Sequence, residues 1–211
     1  MSNLDIARME IKAAKAAETI VGLNNYEDGW VNIWCRGPLF PESTMEDYLS
    51  INGYVIHVRI NDFEQAMPQI FKAMPMQSYD YHMCPVVLDT PDGLPLPCSV
   101  MYIDIDNRRS LRELDRMGLP PAFWWETSPG SIQAIWQLAE PVGWGMFDEL
   151  RKGLIRVIGA DPSPLHHETM VYHRIPSTFN LKPTRRKTDG SPCPVSGLRR
   201  HRGTKLAPIY S

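Results

Sequence analysis

Apolar and polar residues recur along the chain with the two periods that distinguish strands from helices. Short alternating or continuously apolar stretches predict strands at 30–34, 54–60, 99–106 and 170–175. Helical spacing predicts helices at 4–23, 62–74, 108–118 and 144–159, the second of them broken by Pro68. Because helices and strands interleave, the pattern favours a mixed α/β or α+β core.

The stretch ETSPGSIQAIWQL, residues 126–138, predicts a strand, a tight turn and a second strand. Pro129 presets φ and Gly130 tolerates a positive φ, as a type II turn requires. Alternation in the second strand puts Trp136 on one face, and Gln133 and Gln137 on the other. Two glutamines on one face of a largely apolar hairpin indicate either a polar cleft or an exposed sheet surface.

Composition limits the chain to one substantial core, which can have two lobes. The chain has 211 residues, 43% of them hydrophobic, and no apolar run approaches the length of a membrane span. Its first residues form a charged helical pattern without the apolar block of a signal peptide. The four cysteines are widely spaced without a CxxC pair, which argues for free thiols in a cytoplasmic protein rather than a zinc knuckle or redox motif.

Charge is distributed unevenly, although the formal net charge is only −2. Residues 174–211 carry nine Lys or Arg and one acid, a balance of +8, whereas the other residues sum to −10. A basic C-terminal segment on an acidic body indicates a polyanionic partner. A solvated tail would show the same pattern, and charge alone does not separate the two.

Asp104 and Asp106 are the strongest chemical signal. They lie at positions i and i+2 of an otherwise apolar strand, so both carboxylates leave the same face with their bases roughly 6–7 Å apart. Two carboxylates in a partly buried place repel each other, and a divalent cation such as Mg²⁺ or Mn²⁺ removes that conflict. The alternative is a strand that runs into its polar end, with Asp106 opening a turn.

Arg174, Asn180 and Lys182 form a second candidate group. A strand that carries Arg, followed by a loop that carries Asn and Lys, suits phosphate oxygens. This signal is weak by itself because Arg and Lys are common at strand ends.

The order of these pieces resembles the archaeo-eukaryotic primase superfamily, most closely the RepB-like replication primases of plasmids and phages. The resemblance rests on the Asp104-x-Asp106 strand, LPPAFWWETSPGSIQAIWQL at 119–138 and GADPSPLHHETMVYHRIPSTFNLKP at 159–183. It covers about residues 99–183, and the preceding residues carry no motif. It implies an α/β (α+β), two-lobed catalytic core with an RRM-like sheet over residues 1–183. Residues 184–211 would be a basic, partly flexible C-terminal tail.

The resemblance also implies roles for single residues. Asp104 and Asp106 match the motif that holds the catalytic metals, and Glu168 would be the third carboxylate and metal ligand, with Asp161 as the alternative. The superfamily's second motif is commonly Ser-x-His, where this chain has Ser131, Ile132 and Gln133. Gln replaces His in RepB-like members, which puts imidazole chemistry in doubt here.

Nucleotide binding is implied for residues of the hairpin and of the basic segment, namely Ser128, Ser131, Gln133, Arg174, Asn180 and Lys182. Ser177 stands where the family usually has Gly, so the loop around it is expected to differ in shape.

We therefore predict a metal-dependent nucleotidyltransferase, a primase or primase-polymerase that makes or extends primers on single-stranded DNA in plasmid-type or phage-type replication. Two Mg²⁺ or Mn²⁺ ions are the expected cofactors, and a single-stranded DNA template with NTP or dNTP are the expected partners. The chain has no GxxxxGK[ST] motif, so a replicative helicase would be a separate protein or part of a longer parent chain. Two alternatives stay open: a non-catalytic single-strand-binding initiation module, and a metal-dependent nuclease that uses the same acids.

Overall fold

A computed structural model describes residues 2–105, 111–160 and 171–201. The first element is helix α1 (Asn3–Gly22), which Ser2 caps by accepting from the Asp5 backbone N–H while the Asp5 carboxylate accepts in return. Its buried face consists largely of small residues, Ala13, Ala16 and Ala17, which let the helix pack closely on the core. The helix predicted at 4–23 is thereby confirmed.

The first sheet takes its strands from distant parts of the chain, at β1 (Trp30–Arg36), β2 (Tyr54–Arg59), β3 (Asp80–Met83) and β7 (His173–Arg174). The strand order is β2-β1-β3-β7, and neighbouring strands are antiparallel. A short helix, α2 (Met45–Ser50), lies between β1 and β2 and is capped by Thr44. Where the alternation predicts a strand over 170–175, the described part of that range forms strand only at its two-residue β7.

Helix α3 (Phe63–Ala73) follows β2 through a short 3-10 turn at Ile60–Asp62. Pro68 lies inside this helix, so the predicted break does not occur. Phe63, Met67 and Phe71 share the buried face of α3, and their burial outweighs the backbone hydrogen bond that proline removes.

The second sheet is also antiparallel and has the order β10-β5-β6-β4. It is built from β4 (Cys98–Ile105), β5 (Phe123–Ser128), β6 (Ser131–Val142) and β10 (Arg199–Arg200). Helix α4 (Leu111–Arg116) connects β4 to β5, and α5 (Trp144–Ile158) follows β6 and ends at Gly159, whose φ is +60°. Both helices and the hairpin lie where their hydrophobic periodicity predicts them.

Residues beyond Pro183 continue the fold as far as they are described. A 3-10 turn occupies Pro183–Arg185, β9 (Cys193–Pro194) pairs with β8 (Phe179–Asn180), and β10 pairs with β5. The boundary predicted after residue 183 therefore falls inside this turn, and residues 202–211 lie outside the described part of the chain.

One core joins the two sheets. The Tyr102 ring of β4 lies 4.6 Å from the His173 ring of β7 and 5.6 Å from the Phe147 ring of α5, measured between centroids. Among the described helices, none is long and apolar enough to cross a membrane.

Candidate active site

Asp104 lies near the end of β4, directly opposite Gln133 of β6. Its carboxylate is half-buried and accepts a hydrogen bond from the Gln133 side-chain amide at 3.1 Å. Asp106 lies outside the described residues, so the expected pair of carboxylates is represented here by Asp104.

Gln133 is the link between the two sheets, and only 4% of its surface is exposed. Its Oε1 accepts from the backbone N–H of Arg174 in β7 at 3.0 Å, while its Nε2 donates to Asp104. A backbone N–H can only donate, so Oε1 must face Arg174 and the amino group must face the carboxylate. The glutamine therefore fixes the position of Asp104 relative to the first sheet.

Trp136 lies on the opposite face of the same strand, as alternation predicts. Its buried indole N–H donates to the Leu119 carbonyl at 3.0 Å. The apolar face of β6 thus supports the sheet from behind, while its polar face carries Gln133.

The turn between β5 and β6 contains the predicted serines. Ser128 and Ser131 are opposite each other at the two ends of the turn, and both are buried. Gly130 has φ +81°, and its N–H donates to the Glu126 carboxylate at 2.9 Å. The tight turn predicted at Pro129 and Gly130 is confirmed.

Arg174 is buried and its guanidinium belongs to a polar cluster of the first sheet. It forms an ion pair with Asp80, which is fully buried, and donates to the Tyr48 hydroxyl at 3.3 Å. Tyr48 in turn donates to the second Asp80 oxygen at 2.9 Å. These three residues, here called the Arg174 cluster, satisfy one another in the low-dielectric interior.

The pKa values follow from this arrangement. Burial by itself lowers the pKa of Arg174, but the Asp80 carboxylate and the Tyr48 hydroxyl outweigh it and leave the pKa above its ordinary value. Burial, with Asp80 as a second cause, raises the pKa of Tyr48. Burial and the neighbouring Arg174 charge lower the pKa of His82 to about 3, so this histidine is neutral.

Asn180 ties the basic segment to the hairpin. Its side-chain amide donates to the Thr127 carbonyl at 3.1 Å, and its Oδ1 accepts from the Lys182 backbone N–H at 3.2 Å. Asn180 is buried, whereas Lys182 is partly exposed and its ammonium group has no ion-pair partner within the described ranges. Of the two, Lys182 carries a charge, and no acid among the described residues pairs with it.

Ser177 has φ +66°, in the left-handed region. Its N–H donates to the Ser196 carbonyl at 3.0 Å, which holds this backbone in place. Glycine adopts such a conformation without strain. A glycine preference at this position is therefore accounted for, and this chain keeps the left-handed backbone with serine.

The predicted third carboxylate cannot be placed, because Glu168 and Asp161 both lie outside the described residues. Within the described ranges, no group of three or more His, Cys, Asp or Glu side chains could hold a metal ion. Four acids are predicted as metal ligands, and Asp104 is the one among them that lies within the described residues. Its half-buried oxygen donors, held in place by Gln133, suit a hard cation such as Mg²⁺.

Asp80 and Tyr48 are the residues that motif reasoning missed. The signal available in the sequence was weak: Asp80 is the first residue of the four-residue segment that forms β3, and an acid that is buried there requires a partner. Nothing in the sequence indicates that this partner is Arg174, 94 residues further along the chain.

Three solved structures share this architecture over nearly the whole chain. The crystal structure of primase RepB′ has a TM-score of 0.65 and 19% identity, and the match covers 92% of this chain and 58% of that one. The catalytic domain of primase RepB′ in complex with initiator DNA has a TM-score of 0.61 and 18% identity, covering 90% of this chain and 87% of that one.

The archaeo-eukaryotic primase (AEP) domain of the cyanophage S-2L primase-polymerase has a TM-score of 0.58 and 15% identity, covering 92% of this chain and 93% of that one. At these identities the likeness concerns the fold, and it confirms the predicted α+β primase core. This chain spans little more than half the length of the full RepB′ chain.

The family of this chain follows from comparison of its sequence with known proteins and with models of protein families. No curated protein matches the chain. The model of the RepB DNA-primase N-terminal domain matches residues 97–209, more than half of the chain and all three segments that carry the resemblance. The predicted kinship with RepB-like primases of the archaeo-eukaryotic superfamily is confirmed, and the chain belongs to the RepB DNA-primase N-terminal domain family.

Proposed function

We propose that this chain is the catalytic part of a replication primase or primase-polymerase, which joins nucleotides into a primer on single-stranded DNA. The observation that carries the proposal is the hydrogen-bonded row from Asp104 through Gln133 to Arg174. It brings an acid, an amide and the strand that opens the basic segment together, in a chain of the RepB primase family.

Asp104, Asp106 and Glu168, with Asp161 as the alternative to the last, would hold two Mg²⁺ or Mn²⁺ ions. When bound, such ions neutralise the charge of a triphosphate and favour its attack by a 3′-oxygen. The protein's own contribution is to hold these acids still, and Gln133 does so for Asp104.

Gln133 would act mainly by positioning. One N–H of its Nε2 donates to Asp104, and its Oε1 accepts from the backbone N–H of Arg174. The second N–H of Nε2 is the group that would donate to a triphosphate oxygen.

Arg174 and Lys182 would contact phosphate oxygens in different ways. Asp80 offsets the charge of Arg174, which would reach a phosphate with the N–H groups that Asp80 and Tyr48 do not use. Lys182, which has no ion-pair partner among the described residues, would supply most of the attraction. Ser128, Ser131 and Asn180 would shape the wall of the nucleotide site through the buried hairpin turn.

The test is to incubate the protein with an end-labelled single strand, Mn²⁺ and either NTPs or dNTPs, and to separate the products by length. Products that grow only with nucleotides support the proposal. Shortened strands would indicate the nuclease instead, and an unchanged strand that is nevertheless bound would indicate a non-catalytic binding module.

The same assay identifies the third carboxylate. Glu168→Gln and Asp161→Asn are compared during titration with Mn²⁺, and exposed Glu149→Gln on α5 serves as the control. We expect the Glu168 variant to lose activity at saturating metal while the other two remain near wild type. Loss confined to the Asp161 variant would reverse the assignment.

A further inference from the structure

A basic groove lies between α1 and β10, at the edge of the second sheet. Its volume is about 550 Å³, and its lining includes Lys12 and Lys15 of α1, Arg200 of β10 and Phe123 of β5. None of the described residues that line it is acidic. These residues therefore give the groove a positive charge, although the protein as a whole has a formal net charge of −2.

The two lysines belong to one exposed stripe of α1. Arg8, Lys12 and Lys15 follow at helical spacing and are all exposed. Neither lysine has an ion-pair partner in the described part of the chain. Their ammonium groups are thus available to an anionic ligand.

The groove opens on the same sheet face as the candidate site. Trp125 is opposite Gln133, and Phe123 is two residues before Trp125, so the Phe123 side chain leaves the face that carries Gln133 and Asp104. Arg200 is opposite Phe123 and takes that face as well. Three strand spacings, roughly 14 Å in total, separate β4 from β10.

Charge and an aromatic ring together indicate what the groove holds. Proteins that bind single-stranded nucleic acid without strong sequence preference combine a positive groove for the backbone with aromatic rings on which bases stack. Here Lys12, Lys15 and Arg200 would follow the phosphates, and the partly exposed Phe123 would stack against a base.

We propose that the groove between α1 and β10 binds the single-stranded template a few nucleotides away from the point of nucleotide addition. This rests on the proposed function, since it assumes that the bound strand leads to the candidate active site at Asp104. The N-terminal helix, which carries no family motif, thereby becomes part of the template path.

The first test removes the lysine charges. Lys12→Gln/Lys15→Gln is compared with Lys72→Gln/Arg156→Gln, which makes the same change in net charge at exposed positions outside the groove. Glutamine keeps the helix propensity close to that of lysine. Binding of a fluorescent oligothymidylate is measured by anisotropy over a range of salt concentrations, without metal or nucleotide.

We expect the groove variant to bind more weakly and to lower the slope of log K against log salt by about 1.4, since each phosphate contact to a single strand contributes about 0.7. The control pair should leave the slope unchanged. Equal slopes in the two variants would overturn the inference.

The second test removes the ring and leaves the charges. Phe123→Leu should weaken oligothymidylate binding about fivefold or more without changing the salt slope, because a lost base stack costs about 1 kcal/mol or more. Wild-type affinity in this variant would show that no base stacks on Phe123 and would overturn the proposed fit of the groove to a single strand.

The inference and the proposed function fail separately. If the wild type makes primers but the lysine variant keeps the wild-type salt slope, the groove does not bind the template and the primase proposal still holds. If the lysine variant lowers the salt slope but the wild type makes no primer, the groove binds single strands and the catalytic proposal is rejected.

Discussion

The second sheet supplies Asp104 and Gln133, which sequence motifs identify, whereas the first sheet and helix α2 supply Asp80 and Tyr48, which no motif marks. The polar groups of the second sheet include the half-buried carboxylate of Asp104, held by Gln133, whereas the first sheet buries Asp80 and Arg174 against each other. Arg174 of the first sheet connects the two groups, because its backbone N–H donates to Gln133 and its side chain pairs with Asp80. The second sheet thus carries the proposed catalytic acid, whereas the first sheet carries a buried ion pair that stabilises the fold. Variants of the second sheet should lose activity, and variants of the first sheet should lose stability.

The largest expected effect is on activity alone. Asp104→Asn keeps the shape of the side chain and an oxygen that can accept from Gln133, but it removes the negative charge. We expect primer synthesis to fall on the order of 10³-fold or more, with the free energy of unfolding within about 1 kcal/mol of wild type. A parallel urea titration checks the fold, and activity above about a tenth of wild type would contradict the role of this acid.

Asp80→Asn should instead destabilise the protein. It leaves the Arg174 charge buried without its counter-ion, which costs roughly 3–5 kcal/mol in the free energy of unfolding. Urea denaturation measures this loss.

A double variant, Asp80→Asn/Arg174→Met, provides the control for this prediction. It removes both charges and should recover part of the lost stability. If Asp80→Asn were as stable as wild type, the distinction between the two sheets would not hold.

Lowering the pH should decrease the free energy of unfolding through two histidines of the first sheet, at pH values where most carboxylates stay ionised. Burial lowers the pKa of His82 and of His173 in the folded state to about 3, from 6.5 in the unfolded chain. The unfolded state therefore binds more protons between these two values, and their contribution to stability, complete above pH 6.5, is lost as the pH falls. Each histidine should cost up to about 1.4 kcal/mol per pH unit below 6.5.

Urea titrations between pH 5 and pH 7.5 measure this dependence. His173→Phe, which keeps an aromatic ring against Tyr102, should remove about half of the slope. A wild-type stability that does not change over this range would show that the histidines do not remain neutral and buried.

The smallest expected effect concerns Ser177. Glycine removes the strain of a left-handed backbone, so Ser177→Gly should raise the free energy of unfolding by about 1 kcal/mol. Ala14→Gly in α1 is the control and should lower it by about the same amount. A loss of stability in Ser177→Gly would mean that the serine side chain matters more than the backbone.

Local patterns were sufficient for the elements that carry the motifs. Alternation placed Gln133 and Trp136 on opposite faces, and the turn at Pro129 and Gly130 follows from the chemistry of those two residues. Period and turn chemistry are local properties, so a single sequence contains them.

Long-range pairings were not accessible in the same way. The partners Asp80 and Arg174 are 94 residues apart, and β9 and β10 have two residues each, too few to show a period. Pro68 lies in a helix because tertiary burial outweighs its local preference. The groove between α1 and β10 depends on such a pairing, so sequence alone gave only its charges.

The arrangement of β7 has a consequence for how the protein forms during synthesis. The first sheet takes its last strand from residues 173–174, after the ribosome has already made β4, β5 and β6 of the second sheet. Until Arg174 emerges, Asp80 lacks the guanidinium that pairs with it in the folded protein. The first sheet therefore gains its fourth strand, and Asp80 its ion pair, only after the strands β4, β5 and β6 of the second sheet have been synthesised.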